Sequence, residues 1–181
     1  MPDVMNINNI ILGSGDLFIA EYDDAIPEDA AFEADTNKVG RIKGGAEVSY
    51  KPSEYEVTDD KNETIMRSIT KEEVTFKSGI LTWFMGTLAK FCPGVLTDDA
   101  TKKESVLKIG GAKKLKAYAI RFVHTKDTGF KLRVTLVGTA GNGFTLKFDP
   151  AKETVVDAEF KALSQTDGTL VEIRDQYAAV A

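Results

Sequence analysis

The chain contains one cysteine, one histidine and one tryptophan in 181 residues. A lone Cys92 excludes an internal disulfide, and with a lone His124 neither a multi-histidine nor a cysteine-cluster metal site can be built. His124 closes the run "KAYAIRFVHT" on an apolar face, so a packed or edge histidine is expected there ahead of a ligand or general base. Long apolar runs are missing too. The N-terminal "MPDVMNINNIILGSGDLF" has no basic n-region, and its apolar patch from Ile10 to Leu12 is too short for a signal peptide or a membrane span. Synthesis in a cytoplasm is therefore expected, with no membrane partner. A net charge of −5 argues against a chain built to grip nucleic-acid phosphates, which takes clustered Lys and Arg.

Catalytic patterns are equally sparse. "DTG" at Asp127–Gly129 matches the aspartic-protease tripeptide, but that chemistry needs two such carboxylates sharing a proton, and the tripeptide occurs once, where a turn already calls for Asp and Gly. "GTAGNG" at 138–143 lacks the Gly-Lys-Ser/Thr ending of a P-loop and reads as a tight turn. A nucleophile elbow is missing. Asn62-Glu63-Thr64 forms a glycosylation sequon that means little without a secretory signal. The pairs Asp59-Asp60 and Asp98-Asp99 sit in polar stretches without an EF-hand pattern. No catalytic residue, cofactor or metal is expected.

What the sequence does contain is β-structure. Apolar residues make up 43% and charged residues 28%, the balance of an ordinary globular chain, and the length suits a single domain over 1–181. Period-two alternation dominates. "GFTLKFDP" sets Phe144, Leu146 and Phe148 against Thr145 and Lys147. "FKLRVTLVG" sets Phe130, Leu132, Val134 and Leu136 against Lys131, Arg133 and Thr135. The preceding run points Tyr118, Ile120, Phe122 and His124 one way, and "KDTG" joins the two as a hairpin. Further strands are expected at 16–22, 41–50, 64–76, 154–163 and 169–175, the last two joined by "QTDG". One segment departs from this period. In "ILTWFMGTLAKFC", Leu81, Phe84, Met85, Leu88, Phe91 and Cys92 share a stripe at helical spacing that Pro93-Gly94 ends, which predicts one helix over 79–92 packed on the sheets. Trp83 falls on its opposite face, either folded onto a neighbouring loop or free for a subunit contact.

Charge is unevenly spread. Asp16 to Asp35 holds eight carboxylates and no base, whereas Lys102 to Lys116 holds six lysines and one glutamate. "GRIKGGAEVSYKPSEYEVTDD", residues 40–60, starts as an alternating strand and then turns to proline, serine and carboxylates. An extended acidic hairpin loop over 50–65 is the reading, with residues 1–15 as an N-terminal arm. A solvated loop of a monomer is the plainer account of that stretch.

The succession "VGRIKGGAEVSYKPSEYEVTDD", "ITKEEVTFKSGILTW" and "LKFDPAKETVVDAEFKALSQTDGTLVEIRD" resembles the tail tube proteins, or major tail proteins, of long-tailed, siphophage-type bacteriophages. The likeness runs in the same order over most of residues 10–176. It implies a mainly β chain, a β-sandwich or flattened barrel with one flanking α-helix and a long hairpin loop. It further implies hexameric rings that stack into a hollow tail tube through which DNA passes without specific binding, and a virion location. Related architectures form the inner tubes of contractile tails and of type VI secretion. A tape measure protein and a tail terminator are the further partners implied.

In that family the hairpin and the N-terminal arm make the axial contact, which here falls on about Pro52–Glu63. Glu54, Glu56, Asp59, Asp60 and Glu63 would then meet the basic segment of Lys102, Lys103, Lys108, Lys113, Lys114 and Lys116 on the next ring, or line the lumen, with Trp83 as an interface anchor. The competing readings are a β-sandwich binding or decoration module, which calls for clustered exposed aromatics, and an enzyme, which calls for a pocket of convergent titratable groups.

Overall fold

A computed structural model describes residues 13–82, 84–111, 114–141 and 143–177. The chain is mainly β, as expected. In order it forms β1 (Asp16–Glu21), a short helix α1 (Asp29–Phe32), a turn of 3-10 helix (Asp35–Asn37), β2 (Ile42–Thr58), β3 (Thr64–Ile80), a second short helix α2 (Met85–Leu88), β4 (Gly94–Asp99), β5 (Glu104–Ile109), β6 (Tyr118–Thr125), β7 (Lys131–Thr139), β8 (Val156–Ala162) and β9 (Val171–Asp175).

Seven strands form one antiparallel sheet in the order β1-β6-β7-β8-β3-β2, with β9 also on β7. β7 divides its second edge, Leu132–Leu136 against β9 and Gly138–Thr139 against β8. The handover needs Gly138, where a Cβ would stand 2.6 Å from the carbonyl oxygen of Lys161. Leu17 and Ile19 from β1, Ile120 from β6, Leu136 from β7, Phe160 from β8 and Phe76 from β3 belong to one buried cluster. The sheet therefore wraps around one main core, and Phe91 closes it edge-on to Phe160 at 5.6 Å. It does not close into a barrel, because β1 and β2 end the order without pairing to each other.

Four further expectations change. The helix over 79–92 shrinks to Met85–Leu88. Val74, Phe76, Ser78 and Ile80 are buried at period two, and β3 runs through to Ile80 with β2 on one side and β8 on the other, so two hydrogen-bonded ladders outweigh the helical stripe. Leu88 and Phe91 of that stripe are buried, whereas Phe84 and Met85 are exposed. Residues 144–148 do not form a strand: Phe144 and Leu146 pack against the core as their alternation predicts, but β8 already has β7 and β3 on its two sides. The acidic hairpin is not a loop but two 17-residue strands, with only residues 59–63 between them. Finally, the lysine-rich region contributes an unforeseen two-stranded hairpin, β4–β5.

Smaller expectations hold. Asp127–Gly129 is a turn, closed by Gly129 N–H donating to Lys126 O at 2.8 Å and Lys126 N–H to Phe130 O at 2.8 Å. His124 is buried, with Nδ1 2.6 Å from the carbonyl oxygen of Ser14.

Candidate functional site

The β2–β3 ribbon is the feature with the least support from its own chain. Near the body, Val74 and Phe76 of β3 are buried against the core. Beyond them the ribbon leaves the sheet, since β8 pairs only with Thr75–Ile80 and, among the described residues, no strand lies beside the outer edge of β2. Pro52, which lacks an N–H, is tolerated on such an edge strand. Two glycines in left-handed backbone, Gly44 (φ +82°) and Gly45 (φ +75°), make a bulge in β2 opposite Ser78 and Gly79, where the ribbon still lies on the body. Further out, register shifts follow Ser53 and Val57.

From Tyr50 to Glu72 nearly every residue is exposed, including Tyr55, Ile65 (66% exposed), Met66 and Ile69. The register places Tyr50, opposite Val74, on the face that continues the core, and Ile69, opposite Glu54, on the same face. Tyr55 and Met66 take the other. Two strands alone are marginal in water. Large apolar side chains therefore stand in solvent on both faces of a ribbon that its own chain supports little.

The acidic residues decorate this ribbon. Glu56 Oε1 lies 3.0 Å from Arg67 Nε, and Glu56 Oε2 accepts a bond from the Thr64 hydroxyl at 3.4 Å. Glu54 is exposed opposite Ile69. Asp59 turns inward on the tip, where Oδ1 accepts the N–H groups of Lys61 and Glu63, both at 2.9 Å. That leaves Asp60 and Glu63 as the exposed carboxylates of the tip, with the exposed Lys61 between them.

The basic segment is less free than its composition implies. Lys102 lies 3.7 Å from Asp99 and 3.8 Å from Glu104, and Lys116 pairs with Glu21 while standing over the Tyr118 ring. Lys103 sits in the β4–β5 turn with φ +55°, Lys108 lies on β5, and Lys114 borders the approach to β6. Among the described residues no ion pair joins the acidic ribbon to this segment within the chain. Lys113 and Trp83 lie outside the described residues, as do residues 1–12 of the N-terminal arm.

Beside Lys114 and Lys116 a cleft of about 400 Å³ is also lined by Lys90, Cys92 and Tyr118. Burial pushes the Lys90 ammonium below its ordinary range, yet the group donates to Ile19 O at 3.0 Å. Burial also pushes the Cys92 thiol up, away from the reactive thiolate.

A second polar assembly gave no motif in the sequence. Residues 22–38 cross the sheet face opposite the main core. There Phe32 (0% exposed) packs with Phe18, Ala20, Ala119 and Val123. Asp29 Oδ1 accepts bonds from Arg121 Nη1 at 2.8 Å and Arg174 Nη2 at 2.5 Å. Glu33 accepts from Arg133 Nε at 2.5 Å and from Lys131 Nζ at 2.7 Å. The Arg121 and Arg133 side chains are only 3% and 8% exposed. The available signal was joint: eight carboxylates without a base in one segment, and arginines on the polar faces of three strands.

No family profile matches the chain, and no curated protein does.

Proposed function

We propose that this chain is a structural virion protein that assembles with copies of itself into rings stacked as the tail tube of a long-tailed bacteriophage. The observation that carries the reading is the β2–β3 ribbon, which projects an unpaired strand edge and apolar side chains on both faces beyond the core that stabilises it. The sequence resemblance supplies the particular assembly: a hexameric ring, a hollow tube that DNA traverses, and a tape measure protein and a tail terminator as further partners. In this reading β-edges close the ring, and the ribbon reaches along the axis to the next one. The outward carboxylates Asp60 and Glu63 meet cations of that ring or face the lumen, where like charge lets phosphates slide. The role is structural rather than catalytic.

The test is assembly itself. Gel filtration and negative-stain microscopy across protein concentration should show rings or tubes. Replacing residues 51–71 by a two-residue turn should leave a folded monomer that no longer forms them. A full-length chain that stays a compact monomer at every concentration and salt level would overturn the reading.

A further inference from the structure

The segment that joins β1 to β2 is anchored at both ends and held in its middle mainly by charge. It leaves β1 at Glu21 and returns at Lys38 and Val39, where Lys38 bridges to Phe18 and Val39 N–H donates to Leu17 O at 2.9 Å. Val39 belongs to the main core, so that end is fixed. Between the anchors one large side chain is fully buried, Phe32, beneath the Arg121 guanidinium 4.3 Å from its ring centre. Tyr22 and Ile26 are partly buried against the same cluster, and the rest of the attachment is ionic.

The groups that face one another there come from four elements. The segment contributes Asp29 and Glu33, β6 Arg121, β7 Lys131 and Arg133, and β9 Arg174, which stands 2.9 Å from its neighbour Glu172. Thr135 accepts from Arg121 Nε at 2.9 Å. Protonating the two carboxylates would leave Arg121 and Arg133, almost without access to water, beside the partly exposed cations Lys131 and Arg174 and without a carboxylate of their own. Buried charges without partners are costly, and the nearest relief is for the segment to lift and let water in.

We infer that residues 22–37 form an acid-released strap, which Asp29 and Glu33 hold shut over Arg121, Arg133 and Arg174, and which opens in acid while the sheet beneath stays folded.

The direction in pH follows from the carboxylates. The Arg174 hydrogen bond leads the shift that holds Asp29 below the ordinary range. For Glu33, burial pushes upward but the bonds from Arg133 and Lys131 together outweigh it, and the carboxyl ends below its usual value. Groups with depressed folded values stabilise above their unfolded values, about 3.9 for Asp and 4.3 for Glu, and that stabilisation is lost as pH falls through the folded ones. The strap is therefore shut at neutral pH and opens below about pH 4.

Two features confine the effect to the strap. The main core, with Leu17, Ile19, Phe76, Ile120 and Phe160, lies on the opposite face and contains no carboxylate. The other carboxylates held low, Glu21, Glu73 and Asp167, are in solvent, where such pairs contribute little.

Hydrogen exchange followed by mass spectrometry on the dilute full-length chain tests this, with rates corrected for their intrinsic pH dependence. Peptides within 22–37 should lose about tenfold or more of their protection between pH 7 and pH 3, while those of β6 and β7 change less than about twofold. In Glu33→Gln the strap should already be less protected at pH 7 and its pH response should shrink. Strap and sheet losing protection together, a strap still protected at pH 3, or a Glu33→Gln variant that titrates like the parent would each overturn the inference. The parent titration decides the first two without any variant. None of the readouts requires rings or tubes, so failure here leaves the assembly reading untouched.

Discussion

Asp29 and Arg121 are 92 residues apart in the chain and meet at 2.8 Å on the back of the sheet, where one carboxylate oxygen also receives Arg174. The contact joins the acidic N-terminal third to arginines that alternate into the polar faces of β6 and β9. On β6 that face is not solvated, because the strap covers it, and the sheet is buried on both sides along β6 and β7, whereas β9 stays partly open to water.

The ion cluster should respond unequally to losing its members. Glu33→Leu leaves Arg133, 8% exposed, with only the more distant Asp29 carboxylate at 3.8 Å and should cost about 3 kcal/mol in urea unfolding. Arg121→Met keeps Asp29 with Arg174 and Glu33 with Arg133 and Lys131, and removes a guanidinium whose pKa burial pulls down. It should shift stability by less than about 1 kcal/mol in either direction. Equal losses in the two variants would mean the arginines are not the buried burden described.

On the ribbon, Tyr55→Ser combined with Ile69→Ser removes one large apolar group from each face. Both residues are exposed within the chain. Monomer stability should change by no more than about 0.5 kcal/mol, while the concentration needed for assembly rises several-fold. A lower unfolding midpoint with unchanged assembly would place these side chains in contact with their own subunit.

Charge reversal separates pairing from lumen lining. Lys102 and Lys116 already face carboxylates of their own chain, so among the described residues the proposed pairing between subunits would fall to Lys103, Lys108 and Lys114. Lys103→Glu with Lys108→Glu should fold normally and assemble poorly, and assembly of the parent should weaken as salt rises, since each exposed pair is worth at most about 1 kcal/mol. Normal assembly of the double variant would exclude these lysines from the contact.

At the handover on β7, Gly138→Ala introduces a Cβ 2.6 Å from a backbone oxygen of β8. The neighbour is main chain and cannot rotate away. The variant should lose about 1–3 kcal/mol, read by thermal or urea unfolding. Gly141→Ala, whose nearest contact is the Leu115 side chain at 3.8 Å, serves as the neutral control.

Much of the ladder was legible, and the misses share a cause. β6 and β7 follow their alternation because each apolar side chain has a core beneath it and each edge has a partner. Residues 144–148 carry the same alternation and form no strand, because hydrogen-bond partners are assigned by the whole sheet and not by the segment. The stripe from Leu81 to Cys92 is helical in spacing, yet the two ladders of β3 hold Gly79 and Ile80 extended. For the candidate site, the position and acidity of the ribbon were readable from "YKPSEYEVTDD". Its length as paired strand was not, since β2 continues through Pro52 only because that edge is left open.

By itself the sequence determined the β class, the turns at Asp127–Gly129 and Gln165–Gly168, the packed His124 and the acid-rich ribbon, because each depends on local spacing and turn chemistry. Tertiary structure alone decided which strand faces are dry, where the carboxylates of residues 22–38 find their cations, and that the sheet stays open between β1 and β2. Those outcomes depend on groups about a hundred residues apart arriving at one place, and no periodicity within a segment encodes the partner that another segment brings.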